Sequence, residues 1–366
     1  MNEMKQLYIA LFLLMSALVT SCGNREAERI MDSAEDVMWT RPDSALTALE
    51  SIDTLALKTK SQRARYSLLY TMALDRNHLT IQDLRVIKPA ASYYENHGSN
   101  DDKMKMYFYL GTAQYDTGDP ESAIASYIRA KEYSSRSENL VFRGIIRSWI
   151  SDVFLLNNNN SDSMSYSKEA YDYFAQAKDS FRLWNTTGSL ACLYSNIQDW
   201  AKADSLYSVF FSQPIRDTSI YAEQLLTLAW NNIFKPNSDA HKSIDLFKRA
   251  TGKFGVMPSI DDYCVYAYAS EIIGDHRTAN DVIRQLENVD SSSTILKIWK
   301  YRISKHRADY KTALTYLEQS LSDRNSEVLE TVGQSVALAQ SDYYEDKSLL
   351  LDRDRKIQRQ MKWIIA

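Results

Sequence analysis

Apolar residues recur along the chain at the three- and four-residue spacing of a helix face, in paired stretches separated by short polar turns. The clearest pair runs from Tyr107 to Ala130. Tyr107, Leu110 and Gly111 fall at i, i+3 and i+4 on a first helix, Gly118-Asp119-Pro120 interrupts, and Ala123, Tyr127 and Ala130 form a stripe on a second helix. Gly111 removes a side chain where the two helices cross, Gly118 permits a left-handed exit, and Pro120 suits an opening turn. Similar pairs follow. Leu190-Ala191 and Tyr194 face Ala203, Tyr207 and Pro214 around Asp199-Trp200; Tyr266-Ala267 and Gly274-Asp275 precede Ala279, Ile283 and Leu286; Ala308-Asp309-Tyr310 precedes Ala313 and Leu317. Weaker second helices are read at Ala45/Leu49/Ile52, Ala90/Tyr94/His97, Ala170/Phe174/Ala177 and Ser243/Phe247/Ala250. The anchors at 45, 90, 123, 170, 203, 243, 279 and 313 are spaced 45, 33, 47, 33, 40, 36 and 34 apart. The long gaps coincide with insertions such as the polar tract Asn157-Asn158-Asn159-Asn160, read as a loop.

The tail has a different period. Leu329, Val336, Tyr343, Leu350, Ile357 and Ile364 recur every seven residues, while the second column is apolar only at Val332 and Ala339 before turning to Asp346, Arg353 and Gln360. One long helix is expected over 323–366, its first part capping the array and its second projecting or self-associating weakly. It ends in Arg353, Arg355, Lys356, Arg359 and Lys362, then Trp363-Ile364-Ile365-Ala366, which is similar to the flank of a membrane helix.

Composition reinforces the helical reading. Gly and Pro supply 10 and 6 of 366 residues, about 4% together, against roughly 12% in ordinary globular chains. Sandwiches, barrels and doubly wound sheets need more of both at their turns, and 45% hydrophobic residues speak against disorder. A net charge of −4 makes no electrostatic case for nucleic acid.

At the N-terminus, Leu7 to Val19 is an apolar run broken only by Ser16, too short to span a bilayer and of secretory length. It ends in Val19-Thr20-Ser21-Cys22, which resembles a bacterial lipobox. The resemblance implies a lipoprotein signal peptide over 1–21 and acylation of Cys22, and so a lipid anchor on the periplasmic face of a membrane. Gly23 replaces the Asp that favours inner-membrane retention in enterobacterial lipoproteins, and which membrane receives the anchor stays open.

The helix pairs resemble the tetratricopeptide repeat (TPR). The best copy matches seven of eight usual positions with Ser135 as a weak closing residue, and departs at Gln114, where an aromatic is usual and Tyr115 stands beside it. The resemblance covers roughly residues 25 to 322. It implies an all-α protein, a right-handed TPR-like α-solenoid of helix hairpins over 22–322, followed by the long helix. Lipobox, irregular array and charged tail together are similar to the TPR lipoproteins of Bacteroidetes-type bacteria.

The resemblance also assigns positions. Tyr107, Leu110, Gly111, Gly118, Ala123, Tyr127, Ala130, Ala203, Tyr207, Gly274, Ala279 and Ala313 are expected to pack the repeats. First helices line a concave groove, which selects Lys105, Phe108, Thr112 and Tyr115, then Asn185, Ser195 and Asn196, then Asp261, Tyr268 and Glu271, and finally Arg302 and Lys305. No Lys/Arg run resembles the carboxylate clamp of chaperone-binding TPRs.

Chemistry is sparse. There is no HExxH, GxSxG, Walker A, GxGxxG or EF-hand pattern, and Gly252-Lys253 lacks both the upstream Gly and the following Ser/Thr of a phosphate loop. His78, His97, His241, His276 and His306 are scattered, with His276 and His306 read as capping or solvent-facing near helix turns. Asp101-Asp102 and Asp261-Asp262 are read as serving helix starts. Cys192 and Cys264 are read as buried thiols, with a disulfide between them left open. Asp32-Ser33-Ala34, Asp43-Ser44-Ala45, Asp53-Thr54-Leu55, Asp162-Ser163-Met164 and Asp204-Ser205-Leu206 resemble the O-glycosylation site of exported Bacteroides proteins, and equally resemble helix caps. No enzyme activity, cofactor or metal is expected. The expectation is a membrane-anchored, non-catalytic scaffold binding a protein or peptide at the cell envelope. Two other readings stand beside it: the sensor half of a truncated membrane-spanning TPR regulator, and a glycan-binding lipoprotein resembling the SusD class.

Overall fold

The computed structural model describes residues 25–156 and 159–323. The signal peptide expected over 1–21, Cys22, and all but the first residue of the helix expected over 323–366 lie outside them. The described residues form sixteen α-helices and no strand: α1 (25–37), α2 (Pro42–Glu50), α3 (Lys60–Arg76), α4 (Lys88–His97), α5 (Asn100–Asp116), α6 (Pro120–Ser134), α7 (Leu140–Leu156), α8 (Asn160–Gln176), α9 (Ser180–Asn196), α10 (Trp200–Ser212), α11 (Thr218–Phe234), α12 (Ala240–Lys248), α13 (Ile260–Ile272), α14 (His276–Val289), α15 (Thr294–His306) and α16 (310–323). Successive helices pack as hairpins from α3/α4 to α13/α14. None of the described helices is long and apolar enough to cross a membrane. The chain divides after Pro214 into two compact units, unit 1 with α1–α10 and unit 2 with α11–α16.

One rule sets most hairpins. The second helix opens at an Asp or Asn whose side chain accepts the backbone N–H three residues on: Asp119 from Ser122, Asn159 from Asp162, Asp199 from Lys202, Asp239 from Lys242, Asp275 from Thr278 and Asp309 from Thr312. Each cap satisfies an orphan donor, and the aspartates also complement the helix dipole. Four residues past each cap stands a small buried residue: Ala123, Ser163, Ala203, Ser243, Ala279 and Ala313. A small side chain there lets the two helices approach closely.

This rule corrects the expected register of α8. Ala170 is buried, yet the residue at the hairpin crossing is Ser163, seven positions earlier, where Ser151 Oγ of α7 donates to the Ser163 carbonyl at 2.9 Å. With Ser163 as anchor, the spacing on either side becomes forty residues. The second half of the polar tract starts a helix, with Asn159 as the cap and Asn160 the first helical residue, while Asn157 and Asn158 lie outside the described residues.

Glycine marks the tightest helix contacts. A Cβ on Gly111 would fall 2.7 Å from the Tyr127 ring, and one on Gly144 would fall 2.5 Å from the Phe174 ring. Gly118 and Gly274 carry the positive φ of +86° and +85° at the hairpin turns, whereas Gln198 and Ala308 hold φ of 60° and 59° at equivalent turns without being glycine. Gln114, the departure from the repeat, accepts a hydrogen bond from Ser126 Oγ of α6 at 2.6 Å and so still serves the hairpin.

Candidate functional site

Within unit 1 the first helices α3, α5, α7 and α9 and the turn after α1 line one cavity of about 290 Å³. Each supplies a short set of side chains: Trp39 from the turn; Asp75 and Arg76 from α3; Phe108 and Tyr109 from α5; Ile145, Ser148, Trp149 and Asp152 from α7; Phe181, Arg182, Asn185 and Thr186 from α9. Phe174 of α8 and His78, just past α3, complete the wall. The floor is aromatic, with the Phe108 ring 5.2 Å from Phe142 and 6.3 Å from Trp149, both edge-on. Trp39 and Phe181 keep 43% and 39% exposure, so their rings remain available to an occupant.

The cavity's charges are unevenly paired. The guanidinium groups of Arg76 and Arg182 lie 4.6 and 5.7 Å from the Trp39 ring centre, in cation–π range. Arg182 also donates to Asp179 at 2.6 Å. Burial pushes the Asp75 carboxyl up to about 6 against the pull of Arg76, with Asp116 adding to the push. Crowding by the surrounding protein pushes Asp152 up to about 7, although its side chain opens onto the cavity, whose water limits that push. Among the described residues no side chain bonds or ion-pairs to Asp152.

Unit 2 carries a different cluster. Tyr268 of α13 and Tyr301, Arg302, Lys305 and His306 of α15 line an open depression of about 560 Å³. The Arg302 guanidinium lies 4.8 Å from the Phe234 ring centre and 5.1 Å from that of Trp299.

The positions selected from sequence divide accordingly. Phe108 and Asn185 line the unit 1 cavity. Tyr115 packs edge-on against Trp149 at 6.2 Å, and Lys105 approaches Glu35 of α1 at 3.7 Å. Tyr268, Arg302 and Lys305 line the depression of unit 2, and Asn196 is exposed. Three do not reach a groove surface. Thr112 and Ser195 are buried and donate to carbonyls of their own helices. Glu271 is 1% exposed; Arg307 grips it through Nε at 2.9 Å and Nη2 at 2.6 Å, and His276 Nδ1 lies 2.9 Å away. These bonds, Arg307 first, hold its carboxyl below the usual range. Asp261 accepts from Trp299 Nε1 at 2.8 Å and so orients the ring on which Arg302 stacks.

The repeat-packing positions Tyr107, Gly111, Ala123, Tyr127, Ala130, Ala203, Tyr207, Ala279 and Ala313 are buried, and Leu110 is half-buried. Asp102 and Asp262 close capping boxes with Ser99 and Ser259. Cys192 and Cys264 are free thiols, pushed up by burial to about 11 and 12. No described cluster of three His, Cys, Asp or Glu could hold a metal ion. Among the Asp-Ser/Thr-aliphatic triplets, Asp162-Ser163-Met164 is closed off, since Ser163 is fully buried against Ser151. Ser33, Thr54 and Ser205 are exposed.

Sequence reading missed Trp39, Asp75, Trp149, Asp152 and Arg182. Part of the signal was present. Counting back from Ser163, the offsets that select Lys105, Phe108 and Thr112 in α5 select Ile145, Ser148 and Asp152 in α7, three cavity residues. The seven-residue slip in α8 concealed them. Trp39 lies in a turn outside any repeat column, so no periodicity could have pointed to it.

The hairpin register and helix content define a TPR-like helical-repeat fold. No protein-family model matches the sequence, nor does any curated protein. Solved structures do resemble it. A Rap protein complexed with Competence and Sporulation Factor matches with a TM-score of 0.60 and 12% identity, over 92% of this chain and 98% of the other. The apo form of the quorum sensor NprR from B. thuringiensis matches with a TM-score of 0.62 and 10% identity, over 81% and 98%. NprR in complex with its cognate peptide NprX matches with a TM-score of 0.56 and 12% identity, over 82% and 92%. At such identities the likeness is one of fold.

Proposed function

We propose that this protein is a non-catalytic TPR-like scaffold that binds a peptide or protein segment through the cavity of unit 1, tethered by a lipid on Cys22 to the periplasmic face of a membrane, as in TPR lipoproteins of the Bacteroidetes type. The observation that carries the binding part is the cavity itself. It is concave, floored by rings, rimmed by two half-exposed aromatics, and equipped with charged groups. Exposed aromatic area of that kind is the usual anchor for a partner. Proteins of like fold have been crystallised with Competence and Sporulation Factor and with the peptide NprX, which supports a peptide as the partner. The lipobox supports the tether.

The test is site-specific photocrosslinking in the native envelope. A photoreactive amino acid at Asn185, inside the cavity, should capture a peptide or protein identifiable by mass spectrometry. The same group at Val209, exposed on α10, should not. Equal capture from both positions, or none from Asn185, would refute the site. For the tether, radiolabelled palmitate should enter the wild type and be lost in Cys22→Ala.

A further inference from the structure

Helix α15 and the residue that follows it carry six basic side chains, and these fall into two sets. Lys297 pairs with Asp323, Lys300 with Glu287 and Arg307 with Glu271. Arg302, Lys305 and His306 meet no carboxylate among the described residues, and all three line the depression of unit 2 with Tyr268 and Tyr301. Two acids of α13 are held elsewhere: Asp261 accepts from Trp299 Nε1 at 2.8 Å, and Glu271 is gripped by Arg307. Arg302 is also fixed in place. Its guanidinium lies against Phe234 and Trp299, and Trp230 braces both rings at 5.3 and 5.4 Å. No acceptor among the described residues meets its donors, and Nε is buried as well as unmatched, a state that native structures seldom leave unanswered. Lys305 Nζ donates to the Tyr301 hydroxyl at 3.4 Å, so the hydrogen of that phenol is left to donate in turn. Compensation of the helix dipole accounts for Lys305 and His306, which stand in the last turn of α15. It does not account for Arg302, a turn earlier, or for its unmet donors.

We propose that the unit 2 depression binds a carboxylate of a polypeptide partner, with Arg302 as its main contact, Lys305 as a second cation, and the phenols of Tyr268 and Tyr301 as further donors. A cationic occupant would be repelled. An apolar one would strip water from Arg302 and Lys305 and return nothing. A guanidinium held flat against rings presents a planar fork, which matches a carboxylate through two parallel hydrogen bonds. A phosphate dianion is served less well. Helix α15 ends at His306, so the negative end of its dipole lies at this rim and opposes a second negative charge. The carboxylate is that of an acidic side chain or of a free chain end, since the chemistry is the same. The site belongs to unit 2 alone and goes beyond the binding reading of the unit 1 cavity.

The test uses the full-length protein in detergent and pools of acetylated nonapeptides whose random positions exclude acids. Four amidated pools carry a central Glu, Gln, Lys or phosphoserine, and a fifth, with central Gln, keeps its free C-terminal carboxylate. Wild type should retain the Glu pool, the free-carboxylate pool or both at least about tenfold over the amidated Gln and Lys pools, consistent with an interfacial charge pair. Whichever of the two is held more tightly names the source of the carboxylate. Lys305→Gln, at an exposed position, and Arg302→Met, which keeps a stem on the rings, should each remove most of that preference and leave the Gln pool unchanged. Trp39→Ala, in unit 1, should leave the preference intact. The inference fails if the amidated Gln pool binds as well as both carboxylate pools, if the preference survives Arg302→Met and Lys305→Gln combined, or if Trp39→Ala abolishes it. It fails too if no pool binds, or if the phosphoserine pool binds more tightly than the Glu pool, which would make the depression a phosphate site. Crosslinking from Asn185 is decided independently of all these results, so the reading of the unit 1 cavity stands or falls on its own.

Discussion

Asp152 in unit 1 and Arg302 in unit 2 occupy the same place in their repeats, eleven residues before the small anchors Ser163 and Ala313. Each projects from a first helix into a depression walled by aromatic rings. The carboxylate of Asp152 is unpaired among the described side chains and crowded by protein, which pushes it toward neutrality. Arg302 lies over Phe234 and Trp299, with Lys305 and His306 beside it, and forms a basic surface. Identical backbone placement therefore carries opposite charge. The repeat decides which positions open to the groove, and the side chain placed there decides what each unit can hold. The units also differ in how the surroundings are held. In unit 1 the walls are rings interspersed with charged and short polar side chains, whereas in unit 2 the buried Glu271 carboxylate gathers the partly exposed Arg307 and His276 and joins α13 to the end of α15.

The heaviest blow to the parallel would fall on the shared packing column. Ala123→Glu in unit 1 and Ala279→Glu in unit 2 each force a charge into a fully buried helix crossing, at a cost of about 4 kcal/mol or more. Thermal unfolding followed by circular dichroism should show a large loss in both variants; an unchanged melting temperature in either would break the register equivalence for that unit. Next in size is Glu271→Ala. It removes the carboxylate that Arg307 grips, leaving Arg307 partly exposed and bonded to Asn280, and should cost about 2 kcal/mol, the scale of a buried charge-assisted hydrogen bond, whereas a loss below about 0.5 kcal/mol, the scale of an exposed pair, would mean that unit 2 does not depend on the cluster. Because Arg307 and His276 hold the Glu271 carboxyl below its unfolded value, that stabilisation is present above the usual carboxylate range and lost as pH falls through the folded value.

Asp152 should behave in the opposite sense. Its carboxyl binds a proton more tightly folded than unfolded, so its unfavourable contribution is absent below about pH 4, grows with pH and is complete above about 7. Asp152→Asn should therefore raise the melting temperature at pH 8 and leave it unchanged at pH 3.5. Equal melting temperatures for Asp152→Asn and the wild type at pH 8 would show that the carboxylate carries no such cost. The smallest effect expected is Ala308→Gly, which relieves a left-handed turn residue and should gain at most about 1 kcal/mol by denaturant unfolding.

The hairpins were readable because their signals are local. Asp119, Asp199 and Asp275 announce helix starts, and Ala123, Ala203 and Ala279 follow each by the four residues that one turn requires. Where the small residue is serine and no glycine marks the turn, as at Asn159 and Ser163, an alanine seven residues later imitates the pattern, because seven residues are nearly two turns and restore the same face. The groove was half readable for the same reason. Phe108 and Asn185 stand at offsets the repeat supplies, while Glu271 stands at such an offset and is claimed by Arg307, a residue thirty-six positions away.

Periodicity, caps and the scarcity of glycine and proline were thus enough to specify an all-helical repeat array and most of its packing column, since each depends on neighbours within one or two turns. The cavity needed the folded chain. Trp39 meets Arg76 of α3 and Arg182 of α9 only through space, and the crowding that raises Asp152 comes from helices that periodicity cannot place beside it. Desolvation and charge pairing act through space, so the chemistry of the site was decided by tertiary structure, on positions that the repeat had already chosen.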